Sequence, residues 1–266
     1  MEVGNNNEII LSTGTVSDSL NIIGVKDNKN FYCLEKKDNK NIFIFNTEKQ
    51  TKTLLRSSVS PNKYIKAISF NNDWMVWTED EVEVEKDTTI EKDWNTYAQN
   101  LKTGELIDVD KYKNIKLDPD SIYKALEPKE ISIYDDKVVY DTYDVLENGT
   151  TCAVIKMYDL NSKNMQIIDA NQNYKNGFYG HPKIFDNFIV WSLSQCNLSD
   201  YFEKGSTYIY DIKNKQKKLI TTVDEILWPY IYGDYIVARV KPRGQNENSS
   251  LVLFDLNRKK EWTTVS

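Results

Sequence analysis

The amino-acid sequence predicts an all-β fold, and within that class a β-propeller of five four-stranded antiparallel blades. Three observations lead to this prediction. Two short phrases recur in the same order along the chain, their spacing fits one blade per repeat, and tyrosine-rich, β-branched runs alternate with polar turn clusters. Because a four-stranded unit cannot bury its own faces, we expect the repeats to stack against one another.

The first phrase lies between two β-like runs. Its second residue is Asp or Asn, and it ends with Lys or Gly. Its five copies begin at residues 45, 99, 158, 210 and 254, as in Tyr158–Lys163 and Tyr210–Lys215. The Asp or Asn side chain in such a stretch bonds the backbone of a tight hairpin turn. The phrase therefore predicts the hairpin between the third and fourth strands of each blade.

The second phrase precedes the first and reads as a strand, a turn of Asp, Asn or Gly, and a nearly continuous apolar strand. It is clearest in Pro182–Trp191 and Pro229–Ala238, and it also occurs in Ile68–Trp77 and Ile131–Tyr140. An apolar run without alternation is typical of a strand that is buried on both faces. The phrase predicts the hairpin between the first and second strands.

We expect residues 1–266 to form a single propeller domain. The predicted blades span about residues 20–56, 64–110, 129–170, 181–222 and 227–265. Residues 8–13 resemble a fourth strand and are predicted to pair with the last blade, which would close the ring and remove exposed edges. A six-bladed propeller or an open ring are the alternatives.

Two insertions interrupt the repeat, at residues 79–93 and 111–128. In the second insertion, 118–126 is predicted to form one or two helical turns, with Asp118 as N-cap and Pro119 at the first helical position. In the first, alternate carboxylates would share one face of a strand. A solvated hairpin, a partner surface and a calcium site all explain that pattern. The candidate partner-binding residues are Glu79, Glu81, Glu83 and Glu85.

The composition excludes several classes of function. The net charge of −6 argues against nucleic-acid binding, which normally needs a clustered basic face. No apolar run reaches the ~18–20 residues of a membrane-spanning helix, so we expect no membrane insertion. Cys33, Cys152 and Cys196 form neither a disulfide framework nor a zinc motif. We expect no metal and no cofactor.

The stretches Phe188–Trp191, Tyr208–Asp211, Leu219–Thr222 and Pro229–Asp234 resemble the TolB-like and cell-surface β-propeller repeats. The resemblance covers nearly all of residues 20–266 and is sharpest in residues 129–266. It implies protein or glycan binding outside the cytoplasm, often as one module of a longer anchored protein, and it does not imply catalysis. If such an anchor or signal is absent from the full protein, a cytoplasmic location is the alternative.

Catalytic motifs are sparse in the chain. There is no Gly-x-Ser-x-Gly elbow, and the only histidine, His181, is predicted to lie in a loop. The alternative to a non-catalytic module is a five-bladed glycoside hydrolase that uses carboxylates. Its candidate carboxylates share one repeated turn position, which turn geometry explains better than catalysis. They are Asp73, Asp136, Asp186 and Asp234.

Tryptophan supplies the remaining site candidates. Trp77 and Trp191 share one blade position and are predicted to be core residues. Trp94 and Trp228 lie near predicted loops and are candidate contacts for a ligand or partner. The sequence thus predicts a monomeric, non-catalytic propeller that binds a protein or glycan through one loop face, and it is compatible with the ectodomain or sensor lobe of a longer anchored protein.

Overall fold

The computed structural model describes residues 19–85, 88–113, 115, 128, 130–173, 177–195, 204–223, 226–240, 250–257 and 260–265. The predicted closing strand at 8–13 and the predicted helical turns at 118–126 lie outside these residues. The described part of the chain is all-β. No helix within it is long and apolar enough to cross a bilayer.

Five four-stranded antiparallel sheets follow one another along the chain, each with its strands in sequence order. The first sheet contains β1 (Leu20–Val25), β2 (Asn30–Glu35), β3 (Asn41–Asn46) and β4 (Thr51–Ser57). The second contains β5 (Tyr64–Phe70), β6 (Trp74–Glu85), β7 (Thr88–Asn100) and β8 (Leu106–Lys111). The third contains β9 (Ile131–Tyr134), β10 (Lys137–Val145), β11 (Thr151–Asp159) and β12 (Asn164–Asn171).

The fourth sheet contains β13 (Gly177–Phe185), β14 (Phe188–Gln195), β15 (Lys204–Asp211) and β16 (Gln216–Val223). The fifth contains β17 (Ile226–Tyr232), β18 (Tyr235–Val240), β19 (Ser250–Asp255) and β20 (Lys260–Val265). The prediction of five four-stranded antiparallel units is confirmed. By its internal contacts the chain divides into two compact units, Met1–Tyr64 with the first sheet and Ile65–Ser266 with the other four.

The hairpins between third and fourth strands have the predicted turn chemistry. Asp159 Oδ1 accepts the backbone N–H of Ser162 at 2.8 Å, and Asp211 Oδ1 accepts that of Asn214 at 2.9 Å. Lys163 in the first of these turns has φ 54°. Side-chain acceptors of this kind close a tight turn without help from the rest of the fold.

The hairpins between first and second strands also match the second phrase. Asp135, Asp186 and Gly233 have φ of 48°, 51° and 56° in three successive turns. Of these three residues, Asp186 is one of the positions considered for a glycoside hydrolase. Those carboxylates all lie in turns or bends: Asp73, Asp136, Asp186 and Asp234.

Among the described residues of the second unit, three apolar core clusters are each shared by two successive sheets. One cluster joins Val76 of the second sheet to Tyr140 of the third, and another joins Ile155 of the third to Trp191 of the fourth. The third cluster joins the fourth sheet to Ile236 of the fifth. Each sheet therefore buries its apolar residues against a neighbouring sheet, as the repeat argument requires.

The first strands of the third, fourth and fifth sheets contact one another, with β13 between β9 and β17. Both β13 and β17 contain a β-bulge. The register of β13 against β14 shifts between Gly180 and Lys183, and the register of β17 against β18 shifts between Leu227 and Pro229. His181 and Trp228 lie within these bulges.

Candidate functional site

The three neighbouring first strands carry an array of polar and aromatic side chains that the repeat aligns row by row. We call it the first-strand array. Its rows are Glu130, His181 and Trp228; Ser132, Lys183 and Tyr230; and Tyr134, Phe185 and Tyr232. Each row takes one residue from the first strands of the third, fourth and fifth sheets, except that Glu130 directly precedes β9, and most row neighbours are in contact.

Glu130 is bound by two basic groups of the fourth sheet. Its Oε1 lies 2.5 Å from His181 Nδ1, and its Oε2 lies 2.5 Å from Lys183 Nζ. Burial alone would raise the pKa of Glu130, but the hydrogen bonds from His181 and Lys183 outweigh it and lower that pKa to about 2. The carboxylate is therefore ionised and can only accept hydrogen bonds.

This ionised carboxylate decides the orientation of the imidazole. Because Glu130 only accepts, Nδ1 of His181 is the ring nitrogen that donates, and in the neutral ring Nε2 carries the lone pair. A carboxylate that fixes one nitrogen while the other faces a substrate is the usual arrangement of a histidine that transfers protons. Lys183 places a positive charge beside it.

The backbone holds two members of the array in an unusual conformation. His181 has φ 56° and Trp228 has φ 61°, in the left-handed region that non-glycine residues rarely occupy. Each such residue costs on the order of 1–3 kcal/mol, and such strain concentrates at functional sites. The β-bulges provide it, since a bulge redirects a side chain out of the regular strand pattern.

Trp228 connects the imidazole to a further cation. Its ring meets the His181 ring edge to face, with centroids 5.5 Å apart. The Arg239 guanidinium lies 4.8 Å from the Trp228 centroid, and Lys183 Nζ lies 5.1 Å from the Tyr230 centroid. Two cations and two aromatic rings therefore lie next to the Glu130–His181 pair or to its direct neighbours, a combination suited to an anionic ligand that also has apolar faces.

The third row of the array is aromatic throughout. The rings of Tyr134 and Phe185 have centroids 4.9 Å apart, and those of Phe185 and Tyr232 are 5.0 Å apart. Exposure rises along the row: Tyr232 is 78% exposed. The array thus continues from a partly buried charged end into an exposed aromatic end.

The site residues that were predicted on the second sheet are not part of the first-strand array. Trp94, expected near a loop face, is only 4% exposed, which leaves little surface for a ligand. Glu79 is fully buried and accepts a hydrogen bond from Trp77 Nε1 at 2.9 Å. Glu81 is half-buried, and the side chains of the remaining two candidates, Glu83 and Glu85, lie outside the described residues. Trp228 is the predicted site residue that belongs to the array.

The charged residues and the histidine of this site were not among the predicted site residues. They are Glu130, His181, Lys183 and Arg239. His181 was expected to be an ordinary loop histidine, yet it lies within β13 and contacts Glu130. The available signal was the change of residue type at one repeat position, from Glu130 to His181 to Trp228, where a purely structural repeat would keep similar residues.

The described residues offer two further places to look for a ligand, a metal cluster and a cavity. Among the described residues, no group of three or more His, Cys, Asp and Glu side chains is arranged to hold a metal ion. A cavity of about 630 Å³ lies between the fourth and fifth sheets, lined by residues such as Ile209, Leu219 and Phe254, and it shares no residue with the array. The chemistry of the array, rather than the cavity, identifies the candidate site.

Comparison with known proteins gives information at the level of structure only. No protein-family model matches the sequence, and no curated protein matches it. An oligogalacturonate lyase in complex with manganese has a TM-score of 0.64 at 13% identity, covering 94% of this chain and 66% of that chain. The oligogalacturonate lyase of Vibrio parahaemolyticus has a TM-score of 0.57 at 11% identity, covering 89% and 62%.

TolB from Acinetobacter baumannii is also similar, with a TM-score of 0.50 at 14% identity, covering 90% of this chain and 52% of that chain. This chain therefore spans about two thirds or less of the length of these proteins. At such identities the likeness shows the fold. The predicted β-propeller class is confirmed, and the resemblance to TolB is supported as a likeness of fold.

The expectation of a non-catalytic module was wrong. It rested on the idea that this type of propeller does not imply catalysis, and the two oligogalacturonate lyases have the same fold. The turn carboxylates considered for the hydrolase alternative are not part of the array. The function has to be argued from the array itself.

Proposed function

We propose that this chain is a lyase that cleaves acidic oligosaccharides by β-elimination at the first-strand array. The observation that carries the proposal is the contact of Glu130 with both His181 and Lys183. It combines an oriented base with a positive charge, which are the two groups that removal of a proton next to a carboxylate requires. The fold likeness to oligogalacturonate lyases supports the same class of substrate.

The chemistry assigns one task to each group. Nε2 of His181 takes the proton from the ring carbon that bears the sugar carboxylate. The electron pair of that C–H bond forms a carbon–carbon double bond, and the bond from the adjacent carbon to the glycosidic oxygen breaks. The imidazolium returns its proton to the departing oxygen. Lys183 stabilises the charge that develops on the substrate carboxylate.

Hydrolysis fits the same geometry poorly. A glycoside hydrolase needs a carboxylic acid that protonates the leaving oxygen, and so a carboxyl group with a raised pKa. Glu130 is the carboxylate of the array, and its pKa is lowered to about 2, because the bonds from His181 and Lys183 outweigh the effect of burial. It orients the imidazole and cannot act as the acid.

Manganese does not fit the residues of the array. One of the similar lyases is in complex with manganese. Here Nδ1 of His181 is hydrogen-bonded to one carboxylate oxygen of Glu130, and the ammonium of Lys183 donates a hydrogen bond to the other. Such a donor set repels a divalent cation, and no step of the proposed reaction uses one.

The test is an assay of the purified protein on oligomers of galacturonate and of other uronic acids. The elimination product has a double bond conjugated with the carboxylate, which absorbs ultraviolet light, whereas hydrolysis yields reducing ends without that absorbance. We expect absorbance to rise for an acidic oligomer and not for its neutral analogue. Reducing ends without absorbance, or no turnover of any acidic oligomer, would refute the lyase.

We also propose an extracytoplasmic or cell-surface location for the protein. The resemblance of its repeats to cell-surface propellers and the fold likeness to TolB support it. Fractionation of cells that express the full-length gene product tests the location, with recovery only in the cytosol as the opposing result.

A further inference from the structure

One face of the fifth sheet is packed and the opposite face is exposed. Ile231 of β17, Ile236 of β18 and Val252 of β19 are buried in the cluster shared with the fourth sheet. Because side chains alternate along a strand, the neighbouring residues point the other way. Those exposed residues are Tyr230 (55%), Tyr232 (78%), Tyr235 (49%), Leu251 (50%) and Leu253 (37%).

Three tyrosines from one hairpin dominate this surface. Tyr230 and Tyr232 lie on β17, and Tyr235 is the cross-strand partner of Tyr232 on β18. We call Tyr230, Tyr232 and Tyr235 the tyrosine face. An exposed aromatic patch of this kind is unusual on a protein surface and marks a binding site.

The tyrosine face is continuous with the charged end of the first-strand array. Lys183 Nζ lies over the ring of Tyr230 at 5.1 Å, and Phe185 packs against Tyr232 at 5.0 Å. Arg239, on the strand of Tyr235, lies over Trp228 at 4.8 Å. A ligand that extends from His181 along β17 would therefore meet the two cations first and exposed tyrosine rings afterwards.

We propose that the tyrosine face binds the chain of an acidic oligosaccharide beyond the sugar that reacts at His181. This proposal rests on the proposed function. Tyrosine suits this ligand, because the ring packs against the apolar face of a sugar and the hydroxyl bonds its hydroxyl groups. Lys183 and Arg239 match its carboxylates. The consequence is a preference for longer oligomers over an acidic disaccharide.

The experiment compares kcat/KM for a disaccharide and a longer oligomer of the same acid. Tyr232→Ala should lower kcat/KM for the oligomer about fivefold more than it lowers kcat/KM for the disaccharide, because an aromatic contact with the added sugars is lost. Tyr232→Phe keeps the ring and should retain most of the activity. Leu219→Ala, which removes another exposed side chain (53%) on the last strand of the fourth sheet, should leave both values unchanged.

Binding is measured separately, so that a failure of the lyase and a failure of the tyrosine face can be distinguished. His181 is the only histidine of the chain, so the one Hε1 signal in the NMR spectrum reports ligand at the charged end. If no oligomer is turned over but Tyr232→Ala weakens oligomer binding about fivefold, the lyase fails and the tyrosine face stands.

Two results would overturn the proposal for the tyrosine face. One is an equal effect of Tyr232→Ala on the disaccharide and on the oligomer. The other is a wild-type dimer in sedimentation that Tyr232→Ala converts to a monomer while oligomer binding is unchanged, since a second copy of the chain would then be the occupant of the face.

Discussion

Lys156 Nζ lies 2.7 Å from Asp110 Oδ2, although the two residues belong to different sheets. Asp110 is in β8 of the second sheet and Lys156 is in β11 of the third. The same ammonium lies 2.7 Å from Asp144 Oδ2, and Tyr140 donates its hydroxyl to Asp110 at 2.9 Å. Lys156 is only 1% exposed, so the second and third sheets share a buried ionic network.

Removing the central cation of this network should be costly. Lys156→Met keeps the volume but leaves two buried carboxylates without their shared partner, which should lower the free energy of unfolding by about 3–5 kcal/mol. Lys163→Met is the matched control. Lys163 is 60% exposed and lies 3.4 Å from Glu105, so its loss should cost less than about 0.5 kcal/mol. Urea unfolding measures both, and equal costs would contradict the prediction.

The sheets could be predicted from the sequence, but this network could not. The repeated phrases determine turns and apolar strands locally, through side chains such as Asp159 that bond their own turn. Asp110 and Lys156 are 46 residues apart, and each is unremarkable in its own strand. Only the stacking of two sheets brings them together, and a strand pattern does not contain that information.

The acid stability of the protein should depend on Glu130. Its pKa is lowered from 4.5 to about 2, because bonds from His181 and Lys183 outweigh the effect of burial. The folded state therefore binds fewer protons than the unfolded state between these pH values. The stabilisation from Glu130 should be complete above pH 4.5 and should be lost as the pH falls towards 2.

Glu130→Gln tests this dependence by unfolding across pH. The variant should be less stable than the wild type above pH 4.5, and the difference should shrink as the pH falls towards 2. Turnover of an acidic oligomer should also fall, since a neutral amide oxygen accepts a weaker hydrogen bond from the imidazole than the carboxylate does. Glu105→Gln, at an exposed carboxylate, is the control. A constant difference at all pH values would show that the bonds to Glu130 do not stabilise the folded state.

Substitutions of the strained residue His181 should affect stability and activity differently. Asparagine tolerates its φ of 56° far better than alanine does. His181→Asn should keep the free energy of unfolding within about 1 kcal/mol of the wild type, because relief of strain offsets the lost hydrogen bond. His181→Ala keeps the strain, loses the bond and should be less stable than His181→Asn. Both variants should lose turnover by about 100-fold or more.

A second strained residue provides the control. Lys215 has φ 53° in an exposed turn of the fourth sheet, so Lys215→Asn relieves the same strain away from the array. It should stabilise the fold slightly and leave turnover unchanged. Thermal melts measure the stability of these variants, and initial rates measure their turnover. If His181→Asn retained full turnover, His181 would not be the base.

Part of the candidate site was within reach of the sequence. Trp228 was identified because it precedes a predicted first strand, and it lies in the array. His181 was not identified, because a β-bulge and a positive φ are features of the backbone conformation that the residue type does not indicate. The informative signal was the row of Glu130, His181 and Trp228. At this position the residue type changes from one blade to the next, although the spacing of the repeat is kept.

The two aligned core tryptophans should respond differently to the same substitution. Trp77 and Trp191 are both 0% exposed, which confirms them as core residues. Trp77 Nε1 donates to the buried Glu79 at 2.9 Å, whereas Trp191 Nε1 has no hydrogen-bond partner among the described residues. Trp77→Phe therefore removes a donor from a buried carboxylate, while Trp191→Phe removes a buried donor that already lacks an acceptor.

Trp77→Phe should consequently lower the free energy of unfolding by about 1–3 kcal/mol more than Trp191→Phe does. Both variants lose the same volume, so the difference isolates the hydrogen bond from the packing. Urea denaturation of the two variants and the wild type measures it, provided that the slopes of the transitions agree. Equal losses would mean that the indole donor of Trp77 contributes nothing beyond its ring, and a larger loss for Trp191→Phe would assign the stabilisation to its stacking on Tyr208, whose ring centroid is 5.8 Å away.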